Sequence, residues 1–305
     1  MRRVVLTLCL GTVLTLISGC ATDTAVVTNR PLAEMHYISM RGDPYLKLVS
    51  MNKEPLEFLM AFDSGTKETV FFETEKANAL LRYPVSRMYL KGQAGSKEKN
   101  KPISLHVHPR LKEKKVLDRT GTPYAEFDGI LGSDLFRAYS VVVKPRQELL
   151  QFYKPDTLLP GFSYVPLEYN SYFQLGYVYA DILVNKGDLP VRTQLLVDTG
   201  LAFNLSLQKE SDPAFAQINT FRKQRVMTSY GIKYNDVGKI SGIRIGDIFN
   251  EHDVDVMLAY DLGDWKGAYG ILGWKQMRNY DIHIDLKGRR LGFAPLSGAP
   301  DGGGP

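Results

Sequence analysis

The sequence predicts an all-β fold made of two similar lobes. Short runs of Val, Ile, Leu, Tyr and Phe between turns that contain Gly or Pro are typical of strands. An apolar run that ends in Asp, a hydroxyl residue and Gly occurs twice, at 58–66 (FLMAFDSGT) and at 194–201 (QLLVDTGL). Each copy is followed, at similar spacing, by an apolar–apolar–Gly stretch and a last hairpin, which indicates an internal repeat.

Length and composition are those of a globular protein. The chain has 305 residues, which is enough for two domains with their own cores. Its net charge of +5 includes Arg2 and Arg3 near the N-terminus. The remaining charge is too small to indicate binding to nucleic acid, and we predict no nucleic-acid partner.

The N-terminal segment has the pattern of an export signal. Arg2 and Arg3 precede an apolar run from Val4 to Leu16, which is too short to cross a bilayer comfortably. The segment 17–20 (ISGC) resembles the lipobox of bacterial lipoproteins. That resemblance implies a signal peptide at 1–19, cleavage before Cys20, and lipid attachment (palmitate among the acyl chains) at that thiol. The alternative is an ordinary signal peptide that happens to end near a cysteine.

The lipoprotein interpretation also predicts where the protein resides. Cys9 lies in the signal, so the mature chain would retain no thiol for a disulfide. Ala21 follows Cys20, and in lipoproteins a residue other than Asp there implies the outer membrane, facing the periplasm. We expect a flexible tether at 20–35, with a first strand at 25–28 as the alternative.

The two halves repeat the same elements in order. Strands at 45–49 and 56–62 lead to Asp63, and strands at 177–184 and 191–197 lead to Asp198. Each half continues with a long hairpin, at 87–107 and 227–245. An apolar strand interrupted by glycine and followed by a short helix comes next, at 127–136 and 267–277. Each half ends in a last hairpin, at 140–153 and 281–293.

Domain boundaries follow from turn residues. The segment 154–161 (KPDTLLPG) separates the halves, and the last residues are rich in Gly and Pro. We therefore predict an N-terminal lobe at 36–156, a linker at 157–161, a C-terminal lobe at 162–296 and a disordered tail at 297–305.

These motifs resemble those of the pepsin and retropepsin superfamily of aspartic proteases. The match consists of the motifs at 63–66 (DSGT) and 198–200 (DTG), each followed by Ile-Leu-Gly, at 130–132 and 271–273. It extends at the level of pattern from Tyr37 to Pro295. Each half is about the size of a retropepsin chain, so the resemblance implies two closed-barrel lobes on a pseudo-two-fold axis, with a cleft between them, in a monomer.

The resemblance implies that Asp63 and Asp198 are catalytic. Two carboxylates this close hold one proton between them, as in the aspartic proteases that exemplify this effect. One carboxyl would act as general base on a water molecule, and the other would polarise the scissile carbonyl of an extended polypeptide. The proton belongs to the pair, so the sequence does not assign the two roles. No cofactor is expected.

Further residues acquire roles from the same resemblance. In the family, the hydroxyl residues cross-link the two Asp loops, the next glycines donate N–H groups to the carboxylates, and the glycine of the later apolar strand supports each loop. The matching residues are Ser64, Thr199, Gly65, Gly200, Gly132 and Gly273.

One position departs from the family pattern. The residue after D-[ST]-G is usually Thr, Ser or Ala; Thr66 fits and Leu201 does not. A leucine side chain cannot hydrogen-bond to the carboxylate, so we predict a dyad that is less acidic than in pepsin. Leu201 also supports a rival hypothesis, in which the lipoprotein binds peptides or scaffolds envelope partners without cutting them.

Two candidate flaps would cover the cleft. The first-lobe hairpin carries Tyr89, and the second-lobe hairpin carries Tyr230 and Gly231, which look more like a flap. The alternative for Tyr230 is an ordinary strand aromatic.

A histidine pair and a lysine-rich segment are weaker indications of binding sites. His106 and His108 share one face of a strand at a spacing that can bind zinc, but no third ligand is evident, and we predict no metal site. Between Lys97 and Lys115 seven basic residues stand against two acidic ones. We interpret this segment as a solvated loop, with contact to anionic lipid or an acidic substrate as the alternative.

Overall fold

The computed structural model describes residues 30–40, 42–51, 55–82, 86–91, 103–107, 111–112, 127–171, 174–228, 231–259 and 270–297. The predicted signal peptide, Cys20, most of the tether and nearly all of the tail lie outside these ranges. Within them, no helix is both long enough and apolar enough to span a membrane.

Most of the described residues lie in strands. In the first half the strands are β1 (Ala33–His36), β2 (Ile38–Met40), β3 (Asp43–Ser50), β4 (Glu57–Phe62), β5 (Val70–Phe72), β6 (Ser86–Lys91), β7 (Ser104–Val107), β8 (Leu111–Lys112), β9 (Gly129–Leu131), β10 (Ser140–Lys144) and β11 (Leu149–Tyr153). In the second half they are β12 (Ser163–Pro166), β13 (Glu168–Asn170), β14 (Leu175–Leu183), β15 (Val191–Asp198), β16 (Leu205–Gln208), β17 (Thr220–Thr228), β18 (Gly231–Ile245), β19 (Phe249–Ala259), β20 (Gly270–Gly273), β21 (Asp281–Asp285) and β22 (Arg290–Ala294). The prediction of an all-β protein is confirmed.

The helices are short. They are α1 (Glu75–Asn78), α2 (Ser133–Ala138), α3 (Pro213–Ala216) and α4 (Trp274–Met277), with 3-10 turns at Ala79–Arg82 and Pro145–Gln147. The side chains of Phe136 in α2 and of Trp274 and Met277 in α4 are fully buried. These helices therefore anchor the chain to the core directly after the two Ile-Leu-Gly stretches.

The strands form three sheets. One sheet has the order β7-β6-β3-β4-β9-β5-β8, with β2 paired to β3, and a second has the order β13-β14-β15-β20-β16-β19-β18-β17, with an additional pairing of β14 with β18. The third has the order β1-β11-β10-β21-β22-β12 and is built from both halves of the chain. Because β10 pairs with β21, this third sheet joins the ends of the two repeats.

The two halves use the same pairing pattern around their Asp residues. Strand β4 runs parallel to β9, which is antiparallel to β5, and β15 runs parallel to β20, which is antiparallel to β16. The second long hairpin differs from its prediction, since β17 begins at Thr220 rather than near 227. Its first residues, Thr220 to Lys223, are all exposed, so they lack the alternating burial by which a half-buried strand is recognised.

A polar network lies inside the third sheet. His283 on β21 is fully buried, its Nε2 atom is hydrogen-bonded to the hydroxyl of Ser140, and its Nδ1 atom lies 2.9 Å from the hydroxyl of Tyr164. Burial lowers the pKa of His283 from 6.5 to about 4. The sheet that joins the two halves therefore contains a neutral histidine at its centre.

Candidate active site

Asp63 begins the turn directly after β4. Its backbone N–H donates to the carbonyl of Leu131 on β9 at 3.1 Å. The neighbouring strand thus holds the turn in place. The backbone N–H of Gly65 donates to Asp63 Oδ1 at 2.8 Å, and the Thr66 hydroxyl donates to Asp63 Oδ2 at 2.7 Å. Both oxygens of this carboxyl therefore accept hydrogen bonds from their own loop.

Asp198 ends β15, where it stands opposite Gly273 of the parallel strand β20. The backbone N–H of Gly200 donates to Asp198 Oδ1 at 2.8 Å, which repeats the Gly65 contact of the first loop. No hydroxyl occupies the position equivalent to Thr66, because that residue is Leu201. Only one of the two carboxyls therefore receives a hydroxyl hydrogen bond from the fourth residue of its own motif.

Hydroxyl groups cross-link the two loops, which are more than a hundred residues apart in sequence. The backbone N–H of Ser64 donates to Thr199 Oγ1 at 2.9 Å, and the N–H of Thr199 donates to Ser64 Oγ at 3.1 Å. Each hydroxyl then donates to the opposite strand, Ser64 to the carbonyl of Val197 at 2.8 Å and Thr199 to that of Phe62 at 3.0 Å. Both side chains are buried, so these four bonds exclude water and hold the loops in register.

The loop glycines allow the two carboxyls to approach. A Cβ atom at Gly65 would lie 2.7 Å from both carboxyl oxygens of Asp198. A Cβ atom at Gly200 would lie 2.6 and 2.9 Å from the carboxyl oxygens of Asp63. Each glycine therefore faces the aspartate of the other loop, and any side chain at either position would separate the loops.

The surroundings of Asp198 perturb the pKa of its carboxyl. The pKa of Asp198 is raised well above its ordinary value, first because the protein around its carboxyl removes water, and then because of the charge of Asp63 and a hydrogen bond with it. The N–H groups of Gly200 and Leu201 oppose this shift without cancelling it. Both aspartate residues remain partly exposed.

Leu201 has a packing role in the second loop. Its side chain packs against the cluster of Phe203, Val237 and Met257, and Val226 of β17 packs against the same cluster. Its carbonyl accepts the backbone N–H of Phe203 at 2.7 Å and that of Trp274 at 2.9 Å. Leu201 thereby connects the Asp198 loop to the hairpin formed by β17 and β18.

The two supporting glycines lie where the repeat predicts. A Cβ atom at Gly132 would overlap the backbone of Glu68, and one at Gly273 would overlap the carbonyl of Phe203. Ser133 donates its backbone N–H to the carbonyl of Thr66 at 2.7 Å. Each Ile-Leu-Gly stretch thus packs directly against its own Asp loop.

The remaining predicted residues are only partly described. Tyr89 is half-buried on β6, opposite Val49 and Ser104, so its strand partners are not in the Asp loops. Gly231 begins β18, whereas Tyr230 lies outside the described residues. The flap roles of these residues remain predictions.

Few residues of the histidine pair and of the basic segment 97–115 lie within the described ranges. His106 is placed only as part of strand β7, and His108 and most of 97–115 lie outside the described ranges. Within those ranges, no group of three His, Cys, Asp or Glu residues could hold a metal ion.

The sequence pattern alone did not predict the coupling between Leu201 and the hairpin. Val226 stands between Arg225 and Met227, so no alternation of apolar and charged residues marked it as an inward-facing position. For His283, nothing local in the sequence indicated its contacts with Ser140 and Tyr164.

Comparisons with known proteins add no family to this geometry. A scan against protein-family models gave no match, and a search of curated proteins gave no match either.

Proposed function

We propose that the protein is an aspartic endopeptidase, which hydrolyses peptide bonds in extended polypeptide segments. One observation carries the proposal: two D-[ST]-G loops are interlocked so that each loop glycine faces the aspartate of the other loop. A protein that merely binds peptides has little use for two adjacent carboxyls, because their mutual repulsion costs stability.

The hydrogen bonds of the two carboxyls differ, which supports a division of roles within the pair. We assign the shared proton to Asp198, because burial and the charge of Asp63 raise the pKa of Asp198, and we assign the role of base to Asp63, whose carboxyl receives the Thr66 hydroxyl. Asp63 then accepts a proton from the bound water as that water attacks the carbonyl carbon. Asp198 donates its proton to the carbonyl oxygen, which gives a tetrahedral gem-diol. Asp63 then passes the proton that it took from water to the amide nitrogen, the C–N bond breaks and the amine leaves, while a gem-diol hydroxyl returns a proton to Asp198.

The finer fold assignment belongs to this proposal. Two retropepsin-like barrels with a cleft between them would place the dyad at the bottom of that cleft, in a monomer. The additional pairing of β14 with β18 supports closure of the second barrel. The proposed setting is the periplasmic face of the outer membrane, with a lipid anchor on Cys20.

The test is peptide cleavage by the full chain in detergent micelles. A peptide library is offered between about pH 3 and about pH 8, and products are identified by mass spectrometry. Asp63→Asn and Asp198→Asn are each expected to lower kcat/KM by at least about a thousandfold. The control is Asp253→Asn, because Asp253 is exposed and its φ of 52° suits asparagine.

The rival function is peptide binding without cleavage, and the missing hydroxyl at Leu201 is the observation that favours it. If the wild-type chain binds library peptides but leaves them intact, the rival is correct. If wild type and both Asn variants cut equally, the activity comes from a contaminant and the proposal fails.

A further inference from the structure

We propose that the hairpin of β17 and β18 binds acidic polypeptide segments, so that the site prefers substrates rich in Asp and Glu beside the cleaved bond. This inference rests on the proposed function, because it names the substrate class of the same site.

The hairpin is strongly basic. Between Thr220 and Ile245 six basic residues stand against a single acidic one, Asp236. The side chains of Arg222, Lys223 and Arg225 are exposed on β17. Their charges therefore face solvent, where a second chain can reach them.

The positive charge lies at one end of the hairpin. Strand β19 covers β18 only from Asp236 onward, and two of its three acidic residues, Glu251 and Asp255, stand opposite Ile243 and Lys239. The part of β18 before Asp236 pairs with β17 alone among the described strands. On β17, Arg225 stands opposite Tyr234, in the part of the hairpin that β19 does not cover, and Arg222 and Lys223 stand at its border, opposite Val237 and Asp236.

The edge of β17 is suited to an extended chain. Among the described strands β17 pairs only with β18, so the backbone groups on its outer edge are available for strand addition. Phe221 and Tyr234 expose 59% and 66% of their surface, large fractions for aromatic residues. They offer apolar contacts beside the arginines, and Arg222 lies 6.0 Å from the Phe221 ring.

The hairpin also adjoins the catalytic loop. Val226 of β17 and Leu201 of the Asp198 loop pack against one cluster, Phe203, Val237 and Met257. Lys275 adds a further positive charge, with its Nζ atom 5.9 Å from the Phe203 ring. A chain bound along this hairpin therefore lies next to the dyad, which favours a substrate over a membrane as its occupant.

Two competing roles for the basic hairpin predict different binding behaviour. Charged residues protect edge strands against aggregation, and a purely protective role predicts no preference among peptides. A basic hairpin with exposed aromatics is also suited to anionic lipid, which predicts binding to vesicles through the same residues.

The experiment measures binding by the full chain in detergent micelles, carrying Asp63→Asn so that peptides stay intact. The probes are fluorescent peptides with one apolar centre, flanked by Glu, by Gln or by Lys. The hairpin variant is Arg222→Glu with Arg225→Glu. The control variant, Arg146→Glu with Lys287→Glu, makes the same charge change at exposed turns of the third sheet. Lipid binding is measured by sedimentation with vesicles that contain phosphatidylglycerol.

The expected result is that the Glu-flanked peptide binds about tenfold more tightly than the Lys-flanked one. This preference is lost in the hairpin variant, retained in the control variant, and weakened as salt rises from about 0.05 to about 0.5 M. Equal binding of all three peptides, an equal preference in the hairpin variant, or hairpin-dependent vesicle binding without a peptide preference overturns the proposal. Failure of this kind leaves cleavage by the wild-type chain untouched, so the two proposals are tested separately.

Discussion

The two Asp loops are built alike but differ in their fourth residue. In both, a glycine N–H donates to the carboxylate and a hydroxyl crosses to the other loop. Thr66 adds a hydrogen bond to Asp63, whereas Leu201 packs into the cluster that contacts the hairpin. The fourth residue of the first loop thus favours the charged form of Asp63, and the fourth residue of the second loop connects the site to the hairpin of β17 and β18.

This difference teaches how a symmetric repeat produces an asymmetric site. The two carboxyls lie side by side, but only Asp63 receives a hydroxyl bond that favours an ionised form. The pKa of Asp198 is raised well above its ordinary value by burial and by the charge of Asp63. Three predictions test the comparison, beginning with the largest effect.

The largest effect is expected where the loops are alike. Gly65→Ala and Gly200→Ala should each lower kcat/KM by about a thousandfold, because the added methyl group separates the carboxyls. The measurement is cleavage of a peptide substrate, with circular dichroism to confirm folding. Gly187→Asn is the control, since a Cβ there meets nothing within 4 Å and asparagine tolerates its φ of +93° better than alanine does. Activity in a well-folded Gly65→Ala protein would contradict the close approach of the loops.

The second prediction is a loss of folding stability at acidic pH, which limits the pH range in which the two loops can be compared. His283 stays neutral in the folded protein down to about pH 4, whereas in the unfolded chain it gains a proton below about 6.5. The unfolded state therefore binds more protons between these values, so folding stability should fall by up to about 3 kcal/mol as pH drops through that window.

Urea unfolding at several pH values measures this loss. His283→Gln should flatten the dependence between about pH 6.5 and about pH 4. His252→Gln, at an exposed position of β19, should leave it unchanged. An equal slope in wild type and in His283→Gln would show that other groups cause the acid sensitivity.

The smallest effect is expected where the loops differ. Thr66→Val removes the hydroxyl bond to Asp63 and should lower kcat/KM about fivefold at mildly acidic pH, moving the acid limb of the pH profile to higher pH. Leu201→Thr gives Asp198 a hydroxyl that favours its charged form, so the alkaline limb should move to lower pH. Thr157→Val, at a turn hydroxyl distant in sequence from both loops, is the control. Movement of the same limb by both loop variants would refute the division of roles.

The fold class and the two Asp loops could be predicted from the sequence because their signals are local. An apolar run that ends in Asp-Ser-Gly or Asp-Thr-Gly marks a strand and its turn within a few residues. The role of Leu201 could not be predicted in this way, because its partners Val237 and Met257 are distant in sequence. The early start of β17 at Thr220 was missed because an exposed edge strand needs no apolar alternation.

By itself, the sequence determined that this is a β-rich chain with two equivalent strand–Asp turns, each with a glycine that permits a tight approach. Only the tertiary structure decided that those glycines face the opposite aspartates, that burial and the charge of Asp63 raise the pKa of Asp198, and that His283 is a neutral core residue. The physical reason is that desolvation and charge coupling depend on which groups surround an atom. Those groups come from strands that are distant in sequence and meet only when the chain has folded.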